Sequence, residues 1–240
     1  MINKQIKSFT LAEVLITLVI IGVIAALTIP NLMQKYQEQA TVKKVQKFYS
    51  TLSNAYSLAM KENGPASEWG LTGENQESAE KIYNLLFKPY FKITKDCGID
   101  NTGNCIANIY YKYLNNEISR FNYSMLTPVV TYKVTLEDGS AVWWKGPAGD
   151  LFPPYIYYDV NSHKEPNQFG VDVFSFAVIN NSIVPKGIQN GSYSNEAFNS
   201  TCNNKSTGTG TGCAAWVIYK GNMDYLHCNL TWDKKGCKDN

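Results

Sequence analysis

The chain has 240 residues, 44% of them hydrophobic and 13% aromatic, which excludes a disordered polypeptide and is enough for one head domain with a helical extension. Its formal charge is only +2, and Arg120 is the single arginine among mostly lysine cations. That balance excludes a strongly polyanion-directed surface, because readers of phosphate and base edges rely on bidentate arginine, and no nucleic-acid partner is expected.

The chain opens MINKQIKS and continues FTLAEVLITLVIIGVIAALTIP. Residues 9–29 are 21 positions with one charge, Glu13. At about 1.5 Å per residue, a helix of that length crosses a hydrocarbon layer of about 30 Å. Lys4 and Lys7 precede it, and no positive charge follows until Lys35. The positive-inside bias places residues 1–8 in the cytoplasm and everything beyond Pro30 outside. Three readings fit such a segment: a plain anchor, a secretory signal cleaved near Ala25 or Ala26, and a leader cut ahead of the apolar run. Glu13 separates them. A carboxylate at a membrane-helix centre costs about 2.5–3.5 kcal/mol, less toward the end, and neither an anchor nor a discarded signal has a use for it.

Phe9, Thr10, Leu11 and Glu13, with Pro30 closing the apolar run, resemble the N-terminal motif of type IV pilins and type II secretion pseudopilins. The resemblance implies that a prepilin peptidase cuts between Ser8 and Phe9 and methylates the new amine. Such a cut removes Lys4 and Lys7 but keeps the apolar helix for packing in a filament. It also implies that Glu13 pairs with the Phe9 ammonium of a neighbouring subunit, a device for register more than for stability. The family usually carries glycine before the cut. Ser8 is also small, so cleavage is expected, more slowly.

Past Pro30 the chain still reads as helix, with a kink or a local melt expected at the proline. Leu32, Tyr36, Val45, Phe48, Tyr49, Leu52, Tyr56 and Ala59 recur at three- and four-residue steps, and Asn63-Gly64-Pro65 stops the run. The expected organisation is therefore a leader (1–8), a long helix (9–62, of which 9–29 is the membrane and assembly part) and a head (63–240). The fold class expected from the resemblance is α+β. The C-terminal half of the long helix packs on an antiparallel sheet, and its first half projects from a ladle-shaped subunit.

In the head, residues 78–91 have helical spacing and end near Pro89, while IANIYYKYLNN after Cys105 fits helix or strand equally. VVTYKVTL and AVWW, joined through Asp138-Gly139, read as a hairpin, and YIYYDV (155–160) with DVFSFAVI (172–179) as a second strand pair. Six cysteines, Cys97, Cys105, Cys202, Cys213, Cys228 and Cys237, are an even set confined to the head. They suggest disulfides made in an oxidising compartment rather than zinc, since there is no CxxC and His163 and His227 are the only histidines. Of the 15 possible connectivities, sequential pairing is expected because each pair closes a short polar loop. The Gly-, Asn-, Ser- and Thr-rich stretch 186–212 has little to bury, and the apolar tail with Trp216, Ile218 and Tyr219 is expected to dock back on the sheet.

Between the last two strands, Asp159, Asn161 and Asp172, with Glu165 and Asn167 among them, are oxygen donors of the kind calcium favours. Some major pseudopilins hold calcium in a loop of comparable placement. The EF-hand spacing is absent, and the alternative is a strand connection whose Asn and Asp residues cap their own turns. No cofactor is otherwise implied.

No GxSxG, P-loop, HExxH or GxGxxG motif is present, and an enzyme is not expected. Trp143, Trp144, Tyr155, Tyr157 and Tyr158 are enough aromatics for an adhesive or sugar-stacking face, although alternate members of each strand are the natural core. DNA uptake is a third reading, for which the lysines of the 35–61 stretch are the only candidates. The expected function is a structural pilin or pseudopilin subunit; the alternative is an anchored or secreted disulfide-rich binding module or adhesin. The resemblance implies as partners other copies or related pilins, the prepilin peptidase and an inner-membrane assembly platform. The place implied is the inner membrane, single-pass, with the head periplasmic or extracellular, and the bulk of the head leans toward a minor subunit or a large pilin.

Overall fold

The structure, a computed structural model, describes residues 10–120, 122–125, 129–149, 154–188, 197–203 and 206–239. They fall into two compact units, Met1–Ala40 and Thr41–Asn240. The first is described from Thr10 and consists of the start of α1 (Leu11–Asn63), a helix that contains Pro30 without interruption. Its apolar side chains are uncovered, with Leu11 at 78% and Leu27 at 69% exposure.

In the second unit α1 turns amphipathic. Val42, Val45, Phe48, Leu52, Tyr56 and Ala59 form one buried stripe at helical spacing. Phe48 stacks on Tyr158 with centroids 4.1 Å apart, and the Lys44 amine donates to the Val160 carbonyl at 2.9 Å. The helix stops where Gly64 takes a left-handed φ of 75° and its N–H donates to the Met60 carbonyl.

A shorter helix follows. α2 (Gln76–Ile82) starts at Asn75, whose side chain accepts the Ser78 N–H. It runs through a wide π turn, Tyr83–Phe87, into the single turn α3 (Lys88–Tyr90). The helical expectation over 78–91 holds, and the last turn ends at Tyr90, one residue past Pro89. The π turn directly ahead widens the helix where proline cannot donate an ordinary backbone bond.

The sheet is an antiparallel meander in the order β1-β2-β3-β4-β5-β6. Its strands are β1 (Ile93–Gly98), β2 (Tyr132–Leu136), β3 (Ala141–Lys145), β4 (Tyr155–Asp159), β5 (Val173–Ile179) and β6 (Ser182–Pro185). The Asp138-Gly139 hairpin joins β2 to β3 with Gly139 at φ 79°, and β5 turns into β6 through Asn180 and Asn181, both left-handed. The two edge strands are additions to the expected four. β1 is polar and bulged, and β6 is short and closes on a proline, so neither alternates clearly enough to read from composition.

Both faces of the sheet are buried, so the strand members that alternate away from the helices form a second core instead of surface. Val134, Trp144, Ile156, Tyr158 and Phe176 face the helices. Trp143, Tyr157, Val173 and Ala177 on the opposite face lie under an outer layer that includes Cys105, Ile106, Tyr111 and Tyr123. That layer contains the ambiguous stretch after Cys105, which is neither helix nor strand beyond an isolated bridge of Lys112 to Ile118 and Gln168. The tail docks through α4 (Phe198–Thr201) and α5 (Cys213–Lys220). Trp216 stacks on Phe198 at 4.4 Å, and the Ala215 N–H donates to the Lys186 carbonyl beside β6. The three disulfides pair in sequence order, Cys97–Cys105, Cys202–Cys213 and Cys228–Cys237.

Candidate functional site

Two sets of residues were singled out from the sequence, one at the start of α1 and one between β4 and β5. At the first, Ser8 and Phe9 lie outside the described residues. Glu13 is described, and its partner is local. Its carboxylate accepts from the Thr10 N–H at 2.8 Å and from the Thr10 hydroxyl at 2.9 Å, while the Glu13 N–H donates to the Thr10 oxygen at 3.2 Å. This is a reciprocal capping box, which the T-x-x-E spacing signals. Two donors at the helix start are thereby satisfied within the chain. Beyond it lies the one helix among the described residues that is long and apolar enough to cross a membrane, with mean hydropathy 2.6 over its best window and none of that window buried.

At the second set the structure brings Asp159 beside Asn161 and Asp172 beside Asn167. Asp159 ends β4 and is completely buried; Asp172 directly precedes β5 and is 3% exposed. The Asn161 N–H donates to the Asp159 carboxylate at 3.0 Å, and the Asn161 side-chain amide donates to the Glu165 carbonyl at 3.2 Å. Asp172 further accepts the N–H groups of Asn167 at 2.8 Å and Gln168 at 2.6 Å. The Asn and Asp residues of this connection do therefore cap their own turns. Capping leaves a remainder, however: the side-chain oxygens of Asn161 and Asn167 are buried without a hydrogen-bond partner, and Asn167 as a whole is 2% exposed. Glu165 is exposed.

The electrostatics are those of two carboxylates sharing a dry site. Burial, and then the charge of Asp172, hold the Asp159 carboxyl well above the usual carboxylate range. Burial pushes Asp172 up to about 6 against the hydrogen bonds it accepts. Among the described residues no salt bridge reaches either group. No group of three or more His, Cys, Asp or Glu gathers there or elsewhere among them. The residues named for calcium supply carboxylates and amide oxygens, and each carboxylate oxygen of Asp159 and Asp172 already accepts a hydrogen bond.

The aromatic residues offered for an adhesive face are not available to a ligand. Trp143 and Trp144 are wholly buried, and Tyr155, Tyr157 and Tyr158 are at most 6% exposed. They form the two cores.

Comparison with known families adds two matches. A model described as the prokaryotic N-terminal methylation motif, the type IV pilin and pseudopilin signature, matches residues 3–29. A second, described as a family of unknown function (DUF6613), matches residues 31–222. No curated protein and no solved structure matches the chain.

Proposed function

The chain belongs to the DUF6613 family and is type IV pilin-like at its N-terminus, and from this pairing we propose that it is a structural subunit of a type IV pilus or a type II secretion pseudopilus. The observation that carries the reading is the uncovered apolar helix whose first part lies inside the methylation motif, with a cysteine-stapled head after it in the chain. A lone subunit exposing so much apolar surface needs either lipid or the helices of other subunits around it.

In the proposed sequence of events the helix is stored in the inner membrane with its N-terminus cytoplasmic and its head outside. The prepilin peptidase cuts before Phe9 and methylates the amine, and an assembly platform moves the mature chain into a filament of copies or related pilins. The Thr10 bonds keep the Glu13 carboxylate satisfied during storage. On assembly the Phe9 ammonium of a neighbour becomes its stronger partner, which sets the axial register of the subunits. The role is structural, with no catalytic step.

Intact mass and N-terminal sequencing of protein from membranes and from sheared filaments test this. We expect a chain that begins at methylated Phe9 in both fractions. A chain that begins near Leu27, or one that still carries Met1 where the peptidase is active, overturns the reading and leaves an anchored or secreted binding module. Replacement of Glu13 by Gln supplies a second check, since the amide can still cap Thr10 but cannot form an ion pair. Membrane insertion and head folding are expected to persist while the filament yield collapses; normal filaments from this variant would exclude the pairing.

A further inference from the structure

We propose that a cleft in the head binds a free aromatic amino acid, with its ring on an aromatic floor and its two charges on Lys47 and Asp138. The cleft has a volume of about 420 Å³, within the range of small-molecule sites. α1 forms one wall, the turn that leads into β1 a second, and the β2–β3 hairpin a third. The floor is made of rings. Phe48 and Tyr158 stack 4.1 Å apart and within 6° of parallel, and Phe91 meets Phe48 at 6.0 Å and 44°. Such a lining favours a flat apolar body over a branched or polar one.

The charges at the mouth decide what that body carries. Lys92 and Glu137 neutralise each other at 3.2 Å. Two charges of opposite sign remain. Lys47 is exposed on α1 and enters no ion pair among the described residues. Asp138, on the hairpin, enters none either: the Ser140 N–H and hydroxyl both donate to its Oδ1, which leaves Oδ2 open. A ligand that answers both must bring a carboxylate and an ammonium together, and an aromatic α-amino acid does so with a ring attached. A purely anionic ligand meets the like charge of Asp138, and a purely cationic one that of Lys47. The bound molecule ties α1 to the β2–β3 hairpin. Every residue invoked belongs to the unit Thr41–Asn240, so occupation does not depend on filament assembly.

The test is isothermal titration of the full chain in detergent micelles with L-tryptophan, with empty micelles as the blank. A ligand of this size is expected to bind with a Kd of about 1 mM or tighter. N-acetyl-L-tryptophan lacks the ammonium and L-tryptophan amide lacks the carboxylate; each is expected to bind about fivefold more weakly. Lys47→Gln removes an exposed charge, and Asp138→Asn retains an acceptor for the two Ser140 bonds, so neither disturbs the fold. Lys47→Gln is expected to stop distinguishing tryptophan from its amide, and Asp138→Asn to stop distinguishing it from the N-acetyl form, a readout that a general loss of structure does not give. Thr51→Trp, which fills the cleft from an exposed position on α1, is expected to abolish binding. A wild-type chain that gives no heat beyond the blank overturns the proposal. So does a chain that binds all three probes alike, or one that binds the tripeptide Gly-Trp-Gly as tightly as tryptophan, since the occupant would then be a peptide segment.

Discussion

Lys133 sits on β2 in the outer face of the sheet, completely buried, where its amine donates to the Ile99 carbonyl at 2.6 Å and to the Thr131 carbonyl at 2.8 Å. Its contacts are carbonyl dipoles, and burial pushes its pKa down to about 8 despite the more distant charge of Asp100. The unfolded chain holds that proton up to about 10.4, so between the two values the unfolded state binds more protons than the folded one. Stability attributable to this residue therefore rises as pH climbs through 8. In urea unfolding the wild type is expected to gain on the order of 1 kcal/mol relative to Lys133→Met between pH 7.5 and 9. A difference between the two that does not vary with pH would show the amine to be unperturbed. The capping box is the other residue-scale lesson. Thr10 and Glu13 stand three apart at the start of an apolar run, a spacing fully visible in the sequence, and the charge in that segment caps its own helix.

At the scale of elements, α1 is a single helix with two kinds of surface. Residues at its N-terminal end are apolar all round, whereas from Val42 onward one stripe is buried against the sheet and the other faces carry lysines. The period alone does not distinguish these regimes; the composition of the opposite face does. Leu52 has no exposure and Leu32 has 68%, so the same truncation is expected to give opposite results. Leu52→Ala should lower head stability by about 2–5 kcal/mol in chemical denaturation, and Leu32→Ala should leave it unchanged. Equal losses would show that residues before Ala40 contribute to the folded head. The hairpin over Asp138-Gly139 was readable because the turn demands a left-handed residue between two alternating runs. The Asn180-Asn181 turn carries the same kind of signal, and β6 was missed because its four residues end on proline.

For the whole molecule, the three disulfides hold parts that have little other reason to order. Cys202–Cys213 spans 11 residues of a Gly- and Thr-rich stretch and ties the end of α4 to the start of α5. Loop closure of that length is worth about 3 kcal/mol in the chain-entropy account. A Cys202→Ala, Cys213→Ala double variant is expected to lose about that much in denaturant unfolding under oxidising conditions. No loss would mean that packing of Trp216 on Phe198 already fixes the segment. The head also solves a problem that its composition posed. Aromatics on successive strand positions are too many for one core, and they are accommodated by covering the sheet on both sides.

The membrane-length helix, the methylation motif, the central strands and the cysteine pairing were all legible in the chain because each rests on residues close together in sequence. Length against bilayer thickness, periodicity and loop closure are local quantities. The covering of the second sheet face was not legible, since Tyr111 and Tyr123 reach Trp143 and Tyr157 from an irregular segment that has no period to read. Nor was the dryness of the Asp159–Asp172 connection. Its residues were visible as oxygen donors, but whether such donors face water or one another depends on what folds over them. Here that is the segment beginning at Cys105, and only the tertiary structure sets its burial, its charge repulsion and the oxygens left without partners.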